Sequence, residues 1–138
     1  MYSNILKKSL IFILIICLQV NLSCKNRAEE MVLKGNSLAD EKKYDEAIKA
    51  YDEAIKIAPD HKTAWNNKGL ILAEQGKYDE AIKCFDRAIS IDSKFVLALY
   101  NKGTVLCDQG KFDKGREYFE KVLKIDPDHK EARQLLGE

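Results

Sequence analysis

The stretch KYDEAIKAYDEAIKIAPD, residues 43–60, returns as KYDEAIKCFDRAISIDSK at 77–94 and as KFDKGREYFEKVLKIDPD at 111–128, two steps of 34 residues. Within each copy the apolar side chains recur three and four apart, the spacing of one helix face. The polar residues that stand out, Asp45-Glu46, Asp79-Glu80 and Asp113-Lys114, fall in the first turn of that helix. Negative charge there complements the helix macrodipole and can bond free amides, an effect of about 0.3–1 kcal/mol. Neighbouring acids on a helix point about 100° apart, and these face water. Glycosidase-type carboxylates must instead converge across a cleft in different environments. These acids therefore read as helix punctuation.

The same period extends upstream of each copy and divides the chain into residues 28–61, 62–95 and 96–129, followed by a tail at 130–138. Each unit predicts two helices. Gly76 and Gly110 end the first helix of units two and three, where glycine can take the left-handed backbone. Unit one has Lys42 there, which predicts a less sharply specified turn. Small residues pair as Gly35/Ala47, Gly69/Ala81 and Gly103/Gly115, letting the two backbones approach, and an aromatic (Tyr51, Phe85, Phe119) fills space further along. Gly115 inside a helix costs about 1 kcal/mol relative to alanine, so the third unit is expected to fray first. The tail offers about two turns, with Leu135 and Leu136 as its apolar contacts. That is a thin cap for a stacked array.

Unit two carries Trp65, Gly69, Leu72, Ala81, Phe85 and Ala88 at positions 4, 8, 11, 20, 24 and 27. Unit one has Met31, Gly35, Leu38, Ala47, Tyr51 and Ala54, closing with Pro59, and unit three has Leu99, Gly103, Leu106, Gly115, Phe119 and Val122, closing with Pro127. This pattern resembles the tetratricopeptide repeat (TPR) family. The resemblance implies an all-α fold, a right-handed α-solenoid of three helix-turn-helix units plus a short C-terminal helix. Lys34, Lys68 and Lys102 replace the family's leucine. A lysine stem can cover apolar surface there while its ammonium reaches water.

The first residues belong to a different class. MYSNILKK is a short basic start, and Leu10–Leu18 is an unbroken apolar run. Nine helical residues rise only about 14 Å against a hydrocarbon core of about 30 Å. The run suits a secretory signal, residues 1–23, better than a stable span. The segment ends Asn21-Leu22-Ser23-Cys24, which resembles the bacterial lipoprotein signal, although Asn21 stands where that signal usually has leucine. The resemblance implies a lipid attached at Cys24, residues 24–27 as lipidated N-terminus and linker, and a protein exported to the bacterial envelope. Secretion or a single-pass anchor in the cytoplasmic membrane is the alternative.

Charge is nearly balanced, with 23 basic and 22 acidic residues. Such a chain has no basic field for nucleic acid. Cys84 and Cys107 fall within the helical patterns and are expected to be free, packed as small apolar residues. His61 and His129 lie two repeats apart, roughly four helix spacings of about 8–10 Å, too far to share a metal. No nucleotide loop, nucleophile elbow or Cys/His zinc spacing occurs. No cofactor and no enzymatic activity are expected.

The resemblance places positions 2, 5, 6 and 9 of each first helix on a ligand groove. They are Glu29, Val32, Leu33 and Asn36, then Thr63, Asn66, Asn67 and Leu70, then Leu97, Tyr100, Asn101 and Thr104. Asparagine both donates and accepts, so Asn36, Asn66, Asn67 and Asn101 could read the backbone of an extended peptide. Leu33, Leu70, Leu97 and Tyr100 would supply apolar anchoring. One TPR subclass clamps a C-terminal carboxylate of chaperones. Asn36 and Asn67 match its asparagines, but its basic positions hold Val32, Leu97 and Asn101 here, so that specificity is rejected. The expectation is a membrane-tethered, non-enzymatic module that binds a protein or peptide partner. A self-associating envelope assembly factor using the C-terminal face, or an accessory subunit of an envelope enzyme, is the alternative.

Overall fold

The computed structural model describes residues 2–137, with the side chains of residue 7 and residues 9–137. The described residues form seven helices: α1 (Tyr2–Asp40), α2 (Tyr44–Ile57), α3 (Lys62–Glu74), α4 (Tyr78–Ile91), α5 (Val96–Asp108), α6 (Phe112–Ile125) and α7 (Lys130–Leu136). They pair as α1/α2, α3/α4 and α5/α6, and each pair packs against the next through α2/α3, α4/α5 and α6/α7. The chain is an α-solenoid, and α3, α5 and α7 begin at the first residues of units two, three and the tail.

One element departs from the sequence reading. Residues 24–27, expected as a linker, are helical, and α1 runs from the apolar leader into the first repeat. Its backbone meets no breaker, because neither proline nor glycine occurs before Gly35. The stretch Ser9–Asp40 is long and apolar enough to cross a membrane, a property that signal sequences share. The solenoid takes hold at Ala28, which is fully buried.

The turns inside the three repeats are alike. Gly76 and Gly110 have φ of 74° and 75°, and Lys42 adopts the same left-handed backbone at φ 59°. In each turn two amides close back on the helix. Lys42 N–H and Lys43 N–H donate to the Ala39 and Leu38 carbonyls, matching Gly76 and Lys77 onto Ala73 and Leu72. These paired bonds are the Schellman termination. The turn with Lys42 is thus as sharply formed as the others, and the lysine bears a conformational cost instead.

Glycine at position 8 serves a further contact besides the one expected. A Cβ on Gly35 would stand 2.5 Å from the Tyr51 ring, and one on Gly69 or Gly103 would stand 2.7 Å from Phe85 or Phe119. The glycine admits the aromatic itself, which lies edge-in against the first helix and is nearly sealed from water. In unit three two small residues meet directly, where a Cβ on Gly115 would lie 2.8 Å from the Gly103 carbonyl oxygen. Cys84 is buried and Cys107 half-buried, both as free thiols. Burial pushes the Cys84 thiol up to about 11.

Polar side chains then lock one repeat to the next. Gln75 donates to Asp45 at 2.9 Å, and Gln109 donates to Asp79 at 2.8 Å. Lys68 reaches Asp52 at 2.6 Å, and Lys102 reaches Asp86 and the Tyr118 hydroxyl. The lysine side chains are only 21% and 11% exposed, so their stems fill the leucine position while each ammonium is paired. Asp45 and Asp79, first-turn acids of the opening motif, are therefore also acceptors for the following repeat.

Candidate groove on the first helices

Successive first helices, α1, α3 and α5, contact one another across repeats more closely than do the second helices. They therefore occupy the inner side of the curved stack. The groove asparagines meet there, but in a way the sequence did not disclose. Asn101 Nδ2 donates to Asn66 Oδ1 at 3.0 Å, Asn66 Nδ2 donates to Asn67 Oδ1 at 3.1 Å, and Asn67 Nδ2 donates to Asn36 Oδ1 at 2.9 Å. The Tyr51 hydroxyl donates to the same Asn36 oxygen at 2.8 Å. Burial pushes the Tyr51 phenol up to about 12, with the charge of Asp40 adding to the rise.

This chain of bonds joins three repeats through the middle of the inner face. Asn66 is 2% exposed and is not available to a ligand, which corrects its expected place on the groove lining. Position 5 is likewise buried in unit one, at Val32. Asn36, Asn67 and Asn101 are half-buried, and the chain of bonds leaves Asn36 Nδ2 and Asn101 Oδ1 unused. Tyr100 is half-buried as well, stacked on His129 at 5.1 Å and tilted against Phe119 at 5.7 Å. It seals the junction between α5 and the tail more than it presents a free ring.

Leu33, Leu70 and Leu97 are exposed at 60%, 39% and 54%. These are the free apolar groups of the inner face. Leu70 and Asn101 also line a cavity of about 340 Å³ between α3 and α5, together with Glu74, Thr104 and Asp108. Cys24 is exposed on α1.

The histidines have a role that sequence reading missed. His61 Nδ1 accepts the Ala64 amide at 3.3 Å, and His129 Nδ1 accepts the Ala132 amide at 3.4 Å, so each caps the helix that follows. His61 Nε2 then lies 3.0 Å from Glu29 on α1. The available signal was their shared position just before a first helix, where unit two has Phe95 and no side-chain cap. Among the described residues no group of His, Cys, Asp and Glu is gathered to hold a metal ion.

Two models of the tetratricopeptide repeat match the chain, at residues 32–94 and 96–129. No curated protein matches its sequence. Among solved structures, the Arabidopsis OM64 TPR domain is 25% identical with a TM-score of 0.79, covering 83% of this chain and 94% of that domain. The second TPR of Spaghetti (RPAP3), bound to the HSP90 peptide SRMEEVD, is 27% identical with a TM-score of 0.73, over 78% and 99% of the two chains. The second TPR domain of human RPAP3, in complex with the HSP70 peptide SGPTIEEVD, is 26% identical with a TM-score of 0.75, over 85% and 95%. Repeat models across most of the chain, a stacked helix-pair architecture and these likenesses agree: the chain belongs to the tetratricopeptide repeat family.

Proposed function

We propose that the protein is a membrane-tethered, non-enzymatic adaptor that captures a polypeptide partner along its inner face. The observation that carries this reading is the row of exposed Leu33, Leu70 and Leu97 beside half-buried asparagine amides on a preformed scaffold. A rigid surface loses little entropy on binding. The RPAP3 domains that hold chaperone peptides support a polypeptide as the ligand. They do not transfer the carboxylate clamp, because its basic positions are Val32, Leu97 and Asn101 here. Replacing Leu33, Leu70 and Leu97 together by serine tests the reading without touching the core. Partners captured from membrane fractions should be lost relative to the unaltered chain; an unchanged partner set overturns the groove model.

The tether rests on Cys24, exposed on α1 shortly after the apolar run. Metabolic labelling with a fatty acid should mark the protein, and Cys24→Ala should abolish the label and release it from the envelope. Label that survives the substitution overturns lipid anchoring. A second reading, self-association, is favoured by Phe112 at 68% and Leu135 at 55% exposure near the C-terminal end. Sedimentation of the chain as a strict monomer at micromolar concentration counts against it.

A further inference from the structure

We propose that the groove selects segments that combine basic with apolar residues, the opposite charge class from the acidic chaperone peptides held by the RPAP3 domains. The proposal rests on the groove-binding reading above and names the partner's chemistry. Position 13 of each repeat lies four residues beyond position 9 and so continues the same helix face. It holds Asp40, Glu74 and Asp108, one carboxylate per repeat, all exposed. Glu74 and Asp108 line the cavity that contains Leu70 and Asn101, and they are its only charged lining residues. The side chains expected on the groove, extended by position 13, include no lysine or arginine.

Most of the nearby cations are engaged elsewhere, while Lys42 and Lys77, in the turns just past Asp40 and Glu74, pair with no acid among the described residues. Lys68 and Lys102 are held between helices by Asp52 and Asp86. Of the turn lysines, Lys43 pairs with Glu41, and Lys111 donates to Gln109 while lining an outer cavity with Lys114. Among the described residues none of Asp40, Glu74 and Asp108 takes part in an ion pair. The rail is therefore free of ion pairs and runs beside the exposed leucines. A cationic side chain arriving there gains Coulomb energy with no native pair to break, whereas an acidic peptide meets like charge. The three acids stand on successive repeats and do not gather into a metal site. Their spacing suits a polymer that crosses all three repeats.

The test uses the full chain in nonionic detergent, with empty micelles as blank, and two fluorescein-labelled peptides, Leu-Lys-Ala and Leu-Glu-Ala each repeated three times. The lysine peptide should bind at least tenfold more tightly by anisotropy. Glu74→Gln with Asp108→Gln should weaken it at least tenfold, and added salt should do the same. Glu46→Gln with Glu53→Gln, on the outer helix, should leave it unchanged. Equal binding of both peptides, lost together in Leu70→Ser with Leu97→Ser, overturns the charge selectivity while the groove reading stands. Failure of the lysine peptide to bind, or equal weakening by the outer-helix variant, overturns the proposal.

Discussion

Gly115 is subject to two opposed demands. Helix propensity favours alanine at this interior position by about 1 kcal/mol. Packing forbids it, since an added Cβ would stand 2.4 Å from Cys107 Sγ. Units one and two solve the same junction with Ala39/Ala47 and Ala73/Ala81. Unit three exchanges bulk between the partners, with cysteine on one helix and glycine on the other. Gly115→Ala alone should therefore destabilise by about 1–3 kcal/mol. Adding Cys107→Ala should recover part of that loss, since the 2.8 Å approach to the Gly103 carbonyl remains, and a chemical-denaturation cycle measures the coupling. Additive effects in the cycle would show that the two residues do not compete for space. Lys42 supplies the converse case. Its φ of 59° is disfavoured for a side-chain-bearing residue, so Lys42→Gly should stabilise by about 1 kcal/mol. An unchanged or lower thermal midpoint would contradict this.

At the scale of helices, the 34-residue period, the helix pairs and their turns were legible in the sequence, because apolar spacing and glycine punctuation are local signals. The inter-repeat bonds were not. Gln75 and Asp45 are 30 residues apart, and only the stack brings them together. The asparagines were legible as inner-face residues, but a helical position does not tell whether an amide meets a ligand or another amide. Asn66 turned out to be the buried hub between Asn101 and Asn67. Asn66→Ala leaves the Asn101 donor and the Asn67 acceptor without that partner and should cost about 1–3 kcal/mol. Exposed Leu70→Ser should change stability far less, so comparing the two by denaturation separates scaffold from groove. Equal losses would mean that the asparagine chain adds nothing to the stack.

On the scale of the whole molecule, stability in a repeat array is shared among units and their interfaces, so one buried titration is felt along the stack. Three weakly acidic groups are placed where burial disfavours their charged forms, Cys107 the least shifted of them. Tyr51 in the first repeat is pushed up to about 12, chiefly by burial, and Cys84 in the second is pushed up to about 11, also chiefly by burial. Both have folded values above their ordinary values of 10.0 and 9.0. The unfolded chain therefore releases these protons first as pH rises, and unfolding is progressively favoured. Their contribution is complete below pH 9, falls through the thiol window from 9 to 11, and falls again through the phenol window from 10 to 12. The thermal midpoint should hold near neutrality and drop steeply above pH 9. Cys84→Ala removes the larger thiol contribution and should delay the onset of that drop. Because Tyr51 also donates to Asn36, its ionisation removes the donor that ties α2 to the asparagine chain. The second window should thus loosen the first repeat, visible as faster amide exchange in α1 and α2 than in α3 and α4 at matched intrinsic rates. A flat midpoint through pH 11, or a Cys84→Ala profile superimposable on the parent, would show that burial of these groups does not set the alkaline limit.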